Sequence, residues 1–321
     1  MRAVFIERHG GPEVLRLVER PDPEPGQGQL LVRLAAAGVN YRDVYERESG
    51  YGQGSAPMVV GAEGAGTVVA LGPGVERFGV GDRVAWSSAA GSYAELVAVD
   101  QAKAVPVPDG VPEDVAAAAL LQGMTAHYLC TDVYPVREAD AVLVHAGAGG
   151  VGLLLIQLVK LRGGRVITTT STAEKAELAR GAGADETIGY EGFATRVREL
   201  TGGEGVAAVY DGVGRTTFDE SLASLRPRGT LALFGAASGP VPPVDPARLM
   251  SGGSLFLTRP SLIHYAATRE ELLRRAGDVF GLIGKGKLEV RIGARYPLAG
   301  ARQAHEDLEA RRTAGKLLLV P

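Results

Sequence analysis

Gly147-Ala148-Gly149-Gly150-Val151-Gly152 is a G-x-G-x-x-G segment between an apolar run at 141–145 and a helix-forming run that opens at Gly150. In that setting each glycine has a reason. The first makes a tight turn, the second lets the backbone approach a pyrophosphate, and the third lets helix and strand pack closely. The open N–H groups and the positive end of the helix then attract phosphate charge. Glycine turns are common in a chain with 45 glycines, so the motif alone also reads as a plain strand-to-helix turn. Its strand–turn–helix context points to a dinucleotide. The next strand ends Thr168-Thr169-Thr170-Ser171-Thr172, with no acid to pair with a ribose 2′-hydroxyl; Glu174 comes later, inside a helix. The Ser171 hydroxyl and the Lys175 ammonium suit a 2′-phosphate instead, by hydrogen bonding and charge. A solvated helix lysine is the plainer reading of Lys175, but it is one of six lysines against 28 arginines. These residues predict NADP(H) rather than NAD.

A second group stands near the amino terminus. Asn40, the only asparagine in the chain, can donate to a carbonyl oxygen as negative charge develops on it. Tyr45 and Tyr51 offer flat faces to a planar substrate and hydroxyls to its carbonyl, although core packing would also use them. Asp43 and Arg47 are expected to form a structural ion pair that holds this segment. Metal chemistry finds no ligand set, since catalytic zinc takes about three His, Cys or carboxylate ligands. The lone Cys130 reads as a small buried apolar residue, and His9, His127, His145, His264 and His305 are dispersed. Without metal, the simplest chemistry is hydride transfer from a nicotinamide to an already electrophilic acceptor, a quinone or an enone. The protein then supplies orientation and hydrogen bonds.

Elements must position these groups. A chain of 321 residues exceeds one ordinary core and predicts two domains. Short apolar segments at 2–7, 29–36, 64–71, 82–86 and 94–99, separated by glycine and proline turns, predict strands of a small barrel or sandwich. At Pro112 the texture becomes helical, with stretches at 116–121 and 125–129. Strands (141–145, 165–170, 183–188, 205–211, 229–235, 254–258) then alternate with helices (150–162, 173–180, 193–200, 218–225), which implies a parallel sheet covered on both faces. The tail breaks that rhythm: helix 269–285, strand 288–292, helix 301–311, strand 316–320. It is expected to pack back on the first domain. The predicted class is α/β, with a β-rich domain at 1–122, a doubly wound domain at 123–262 and a return at 263–321.

Composition excludes some functions. A net charge of -3 with scattered charges offers no basic field for nucleic acid. The most apolar stretch, 141–161, is broken by His145, a glycine cluster and Gln157, so no membrane span is expected. The first residues lack a secretory apolar core, and a single cysteine fits a reducing, cytoplasmic setting.

The chain resembles the quinone oxidoreductase (zeta-crystallin-like) branch of the medium-chain dehydrogenase/reductase family over nearly its whole length. The resemblance is carried by His9-Gly-Gly-Pro-Glu-Val-Leu15, Gly38-Val-Asn-Tyr-Arg-Asp-Val-Tyr45, Gly61-Ala-Glu-Gly-Ala-Gly66, Val80-Gly-Asp-Arg-Val84, His145-Ala-Gly-Ala-Gly-Gly-Val-Gly152, Ser171-Thr-Ala-Glu-Lys175, Tyr210-Asp-Gly-Val-Gly214, Phe234-Gly235 and Leu257-Thr-Arg-Pro-Ser-Leu262. It implies a GroES-like catalytic domain, a Rossmann domain and an active site in the cleft between them. It also implies that Lys175, Tyr190 and Arg311 hold the 2′-phosphate. Tyr41, Arg42, Asp43, Val44, Tyr45, Thr125 and Tyr128 would line the cofactor, and Gly212 and Phe234-Gly235 would form turns beside its ribose and nicotinamide. Zinc-dependent relatives carry a cysteine where this chain has Asn40 and a histidine where it has Ala62; Glu63 remains. Similar proteins pair as homodimers through the edge of the Rossmann sheet, here 254–258. The implied activity is NADPH-dependent quinone reduction. An enone, alkenal or enoyl-thioester reductase, or a nucleotide-binding protein with little turnover, would fit the same residues.

Overall fold

Alternating Val, Leu and Ala between Gly- and Pro-rich turns favour half-buried strands, and the described amino-terminal residues form eight. The structure, a computed structural model, describes residues 1–49 and 55–321; the expected site residue Tyr51 lies outside them. The strands are β1 (Arg2–Ile6), β2 (Arg16–Glu19), β3 (Gln29–Val39), β4 (Met58–Val59), β5 (Glu63–Leu71), β6 (Arg83–Trp86), β7 (Leu96–Asp100) and β8 (Val105–Pro106). A helix, α1 (Tyr41–Ser49), follows β3 after one residue, Asn40. Strand β1 pairs with β2 and β4, while β3 pairs antiparallel with β5 and β7. Register shifts in β3 at Leu31/Val32 and Leu34/Ala36 are bulges of the kind that bend a strand. The two helical stretches expected after Pro112 are one helix, α2 (Glu113–Tyr128), which runs into a π turn at Leu129–Val133. Good helix formers flank Gly123 on both sides, so a single glycine does not break it.

The alternating region builds β9 (Ala141–Val144), α3 (Gly150–Leu161), β10 (Arg165–Thr169), α4 (Ala173–Gly181), β11 (Glu186–Ile188), α5 (Phe193–Leu200), β12 (Val206–Asp211), α6 (Phe218–Ala223) and β13 (Leu225–Leu233). Then follow α7 (Ala247–Ser251), β14 (Phe256–Thr258) and α8 (Leu262–Tyr265); the two short helices were not expected. Six strands align in parallel in the order β11-β10-β9-β12-β13-β14. Strand β12 is buried at all six positions, as befits a parallel sheet covered on both faces. The strand order reverses between β9 and β12, which places a topological switch point at their carboxyl ends.

The remaining residues form α9 (Arg269–Gly284), β15 (Ile292–Pro297), α10 (Ala301–Glu309) and β16 (Lys316–Val320). Strand β15 begins where the expected strand at 288–292 ends. Gly286, at φ +63°, closes α9, and the Leu288 N–H still donates to the Leu282 carbonyl at 3.2 Å, so the segment before Ile292 belongs to the helix terminus. Strand β16 lies between β15 and β3, parallel to the first and antiparallel to the second, with Leu318 opposite Gly38. The chain divides into two compact units: Met1–Gln122 with Ala266–Pro321, and Gly123–Tyr265. Each has its own core, one around Trp86, Tyr93 and Leu319, the other around Leu143, Ile167, Phe193 and Leu231. Among the described residues no helix is long and apolar enough to cross a membrane.

Candidate cofactor and active site

In the unit Gly123–Tyr265 the expected residues gather at one end of the parallel sheet. Gly147, Gly149, Gly150, Val151 and Gly152 follow β9; Ser171 and Lys175 follow β10; Tyr190 follows β11; Gly212 follows β12; Phe234 and Gly235 follow β13. These are the carboxyl ends of five strands, where open α/β sheets bind their ligands. A Cβ on Gly147 would come within 2.1 Å of the Thr168 hydroxyl on β10, and one on Gly152 within 2.4 Å of the Ala146 carbonyl oxygen. The turn therefore requires both glycines. Gly149 is the N-cap of α3 and no side chain caps this end, leaving a helix start suited to an anion. Thr172 caps α4 by accepting the Lys175 N–H at 3.2 Å, which sets Lys175 in the first turn of α4 beside Ser171. Gly212 and Gly235 interlock: a Cβ on Gly235 would come within 2.4 Å of the Gly212 carbonyl oxygen, and one on Gly212 within 2.9 Å of the Phe234 ring. Thr125 and Tyr128 are buried on α2, with the Tyr128 ring stacked on Tyr265 at 4.4 Å.

A buried polar chain supports this end of the sheet. His145 Nδ1 accepts from the Thr169 hydroxyl and its Nε2–H donates to Ser221 Oγ, each at 2.9 Å. Ser221 donates to Asp211 Oδ2 at 3.0 Å, Thr217 donates to the same oxygen at 2.7 Å, and the Val213 and Gly214 N–H groups donate to Oδ1. Burial lowers the His145 pKa below its ordinary value, and the nearby Asp211 only partly offsets this. A neutral His145 with its proton on Nε2 satisfies every partner. Tyr190 stacks over the same ring at 6.2 Å. Asp211, Thr217 and Ser221 were not singled out from sequence, although Asp211 lies in the Tyr210–Gly214 motif that carries the resemblance.

In the other unit, Asn40, Tyr41, Arg42, Asp43, Val44 and Tyr45 form the junction of β3 and α1. The expected Asp43–Arg47 pair does not form. Asp43 Oδ2 accepts from the Asn40 N–H at 2.8 Å and the Tyr93 hydroxyl at 2.9 Å. Arg47, fully buried, instead forms a bidentate pair with Glu309 at 2.8 and 3.0 Å, and donates to His305 Nδ1, Glu48 and the Gly10 carbonyl. Four residues along α1, Arg47 faces α10 rather than the helix start. Tyr41 meets another expected residue, Arg311. Its hydroxyl donates to the Leu308 carbonyl at 3.0 Å, and burial raises its pKa despite the Arg311 guanidinium beside it.

The Asn40 side chain is 5% exposed and engaged at both ends. Its Nδ2 donates to Glu63 Oε2 at 2.9 Å and to the Gly38 carbonyl at 3.2 Å; its Oδ1 accepts from Lys316 Nζ at 2.7 Å and from Gln122 Nε2 at 3.3 Å. Its amide hydrogens are thus held within the protein rather than offered to a substrate carbonyl. Lys316 was read from sequence only as the first residue of a strand.

Two halves, one β-rich and one doubly wound around a phosphate-binding turn, define a nucleotide-dependent dehydrogenase architecture. Residues 26–109 match the alcohol dehydrogenase GroES-like domain, and residues 150–276 match the zinc-binding dehydrogenase family. A quinone oxidoreductase of Pseudomonas aeruginosa is 46% identical, the alignment covering 100% of this chain and 99% of that protein. A mycobacterial structure complexed with NADPH superposes with a TM-score of 0.98 at 56% identity, covering 100% of both chains. A 2-haloacrylate reductase of Burkholderia is 40% identical over 99% of this chain and 98% of that protein. The chain belongs to the quinone oxidoreductase branch of the medium-chain dehydrogenase/reductase family.

One of these family descriptions implies zinc, and the residues here do not fit it. At the positions named above the chain offers a neutral carboxamide, Asn40, a methyl group, Ala62, and one carboxylate, Glu63. That carboxylate is already bound by the Lys316 ammonium at 2.5 Å. Among the described residues no group of three or more His, Cys, Asp or Glu side chains is placed to hold a metal ion.

Proposed function

We propose that this protein is an NADPH-dependent quinone reductase that works without a metal. The observation that carries the reading is the β10 terminus, where hydroxyls and Lys175 replace the acid of an NAD site, next to the glycine turn. The quinone oxidoreductase and the NADPH complex among its relatives support it. When bound, NADPH supplies a hydride; with one proton from solvent, a quinone becomes a hydroquinone and NADP⁺ remains. The glycine turn and the α3 terminus hold the pyrophosphate. In this unit Ser171, Lys175 and Tyr190 would hold the 2′-phosphate, and Thr125, Tyr128, Gly212 and Phe234-Gly235 would line the rest of the cofactor. In the other unit Tyr41–Tyr45 and Arg311 are the residues that the family resemblance assigns to cofactor and acceptor, and Asn40, with its amide committed inward, shapes the segment that carries Tyr45.

The 2-haloacrylate reductase relative favours a second acceptor class, an activated carbon–carbon double bond. Loss of NADPH absorbance with a panel of 1,2- and 1,4-quinones, alkenals, enones and crotonyl thioesters separates the two. Turnover of quinones, unchanged by a strong chelator, is the expected result. Turnover confined to the double-bond acceptors would move the assignment to the second class, and loss of activity in chelator would overturn the metal-free reading.

We also infer a homodimer that pairs through β14, the edge strand of the parallel sheet. Exposed Phe256 on β14 and exposed Met250 on α7 support it, since apolar side chains beside an open strand edge suit a partner strand. Cys130 is buried and desolvation pushes its thiol pKa up to about 12, so the thiol is unreactive; a chain with a single cysteine, unable to form an intrachain disulfide, supports a reducing, cytoplasmic setting.

A further inference from the structure

Of the six lysines only Lys316 is fully buried. Its ammonium lies 2.5 Å from Glu63 Oε2 and 2.7 Å from Asn40 Oδ1. Glu63 is 0% exposed, and its other oxygen accepts the Leu121 N–H at 2.7 Å. Space is reserved for this contact at Gly38, where a Cβ would come within 2.3 Å of Glu63 Oε2 and 2.8 Å of Lys316 Nζ. The end of β3, the start of β5, α2 and the start of β16 thus converge on one ammonium.

Stability alone is a poor account of such a group, because a buried ion pair is often no better than well-packed apolar side chains of similar size. Direction explains it better. Asn40 is the N-cap of α1, and a capping asparagine ordinarily uses its side-chain oxygen on the N–H groups of its own helix. Here that oxygen is drawn to Lys316. The helix start is closed the other way, by Asp43 Oδ2 accepting the Asn40 N–H at 2.8 Å. The ammonium therefore fixes which way the Asn40 amide points, at the residue where the first turn of α1 begins.

We propose that Lys316 is a positioning residue for hydride transfer: the chain's own built-in cation, which satisfies Glu63 in place of a metal and, through Asn40, sets the α1 turn carrying Tyr41 to Tyr45. This rests on the reading that this turn serves cofactor and acceptor.

Two variants test it, Lys316→Met and the double variant Glu63→Gln/Lys316→Met. Each is followed by thermal unfolding, by hydrogen–deuterium exchange of the peptide spanning 40–49, and by quinone-dependent NADPH oxidation. Lys316→Met strands the Glu63 carboxylate and unfolds at lower temperature. The double variant removes both charges and recovers the wild-type midpoint. In the double variant the 40–49 peptide nevertheless exchanges faster, and kcat is lower by about tenfold to a hundredfold, the usual scale for a reacting group misplaced by an ångström. Recovery of exchange and kcat together with the midpoint would overturn the proposal and leave a structural ion pair. Exchange needs no turnover, so it decides the role of Lys316 even if the wild type reduced no quinone. That outcome would instead overturn the proposed function.

Discussion

The choice between the two nicotinamide cofactors rests on few side chains. Lys175 stands in the first turn of α4, whose start is fixed by the Thr172 cap, next to the exposed Ser171. A charge-assisted hydrogen bond to phosphate contributes roughly 1.5–3 kcal/mol, so Lys175→Ala is expected to weaken NADPH binding by about tenfold or more. NADH, without the 2′-phosphate, should bind almost as before; fluorescence titration of both cofactors checks this, and equal losses would remove Lys175 from the clamp. Lys175 was legible in the sequence because its signal is local: a strand, a missing acid, a hydroxyl and a lysine within a few residues. Lys316 was not, because it meets Asn40 across 276 positions and sits at the head of an ordinary apolar strand. The Asp43–Arg47 expectation failed for a related reason. Spacing of i and i+4 on a helix permits a pair, but the stronger partners of Arg47 lie on α10, which local spacing cannot reveal.

Helices α1 and α10 are joined by a buried polar chain in which His305 Nε2–H donates to Tyr93 at 3.2 Å, Tyr93 donates to Asp43, and Arg47 spans to Glu309. Burial sets the proton states. Desolvation, with Arg47 beside it, takes His305 down to about 3; desolvation takes Asp43 up to about 6 and Glu46 up to about 7, the neighbouring Asp43 adding to the latter. For His305 the unfolded chain takes up a proton below its ordinary 6.5 and the folded chain does not until about 3, so its contribution to stability falls as pH falls through that window. The two carboxyls act oppositely: their contribution is complete at low pH and is lost as pH rises through about 6 and 7. The difference in stability between the wild type and His305→Gln should therefore change in favour of the variant as pH falls from about 7 to about 5, measured as the difference in urea midpoint. A difference that does not change with pH would show that His305 is not held neutral in the fold. Most elements were readable from periodicity and turn residues. Short α1 was not, since its Tyr, Arg, Asp and Glu show no clean apolar stripe, and β15 began late because the end of α9 reaches past Gly286 into the residues that looked extended.

For the molecule as a whole, the six-stranded sheet leaves β14 with one open edge among the described residues. Phe256 is 61% exposed there and Met250 72% exposed on α7. Phe256→Glu is expected to shift the protein from dimer to monomer in sedimentation velocity; an unchanged dimer would place the interface elsewhere, and a monomeric wild type would remove it. The doubly wound region was the most legible part of the chain, because β9 to β12 are each followed within a few residues by a helix. The β-rich unit was less so, since its sheet is assembled from distant segments. That difference has a consequence for how the protein is made. Residues 123–265 are contiguous and can close their core as soon as they leave the ribosome. Residues 1–122 must wait, because β16 pairs directly with β3 and also delivers the ammonium that Glu63 needs. Until Lys316 emerges, the amino-terminal strands hold an open edge and an unpaired carboxylate, so during synthesis the half of the protein made first is the half completed last.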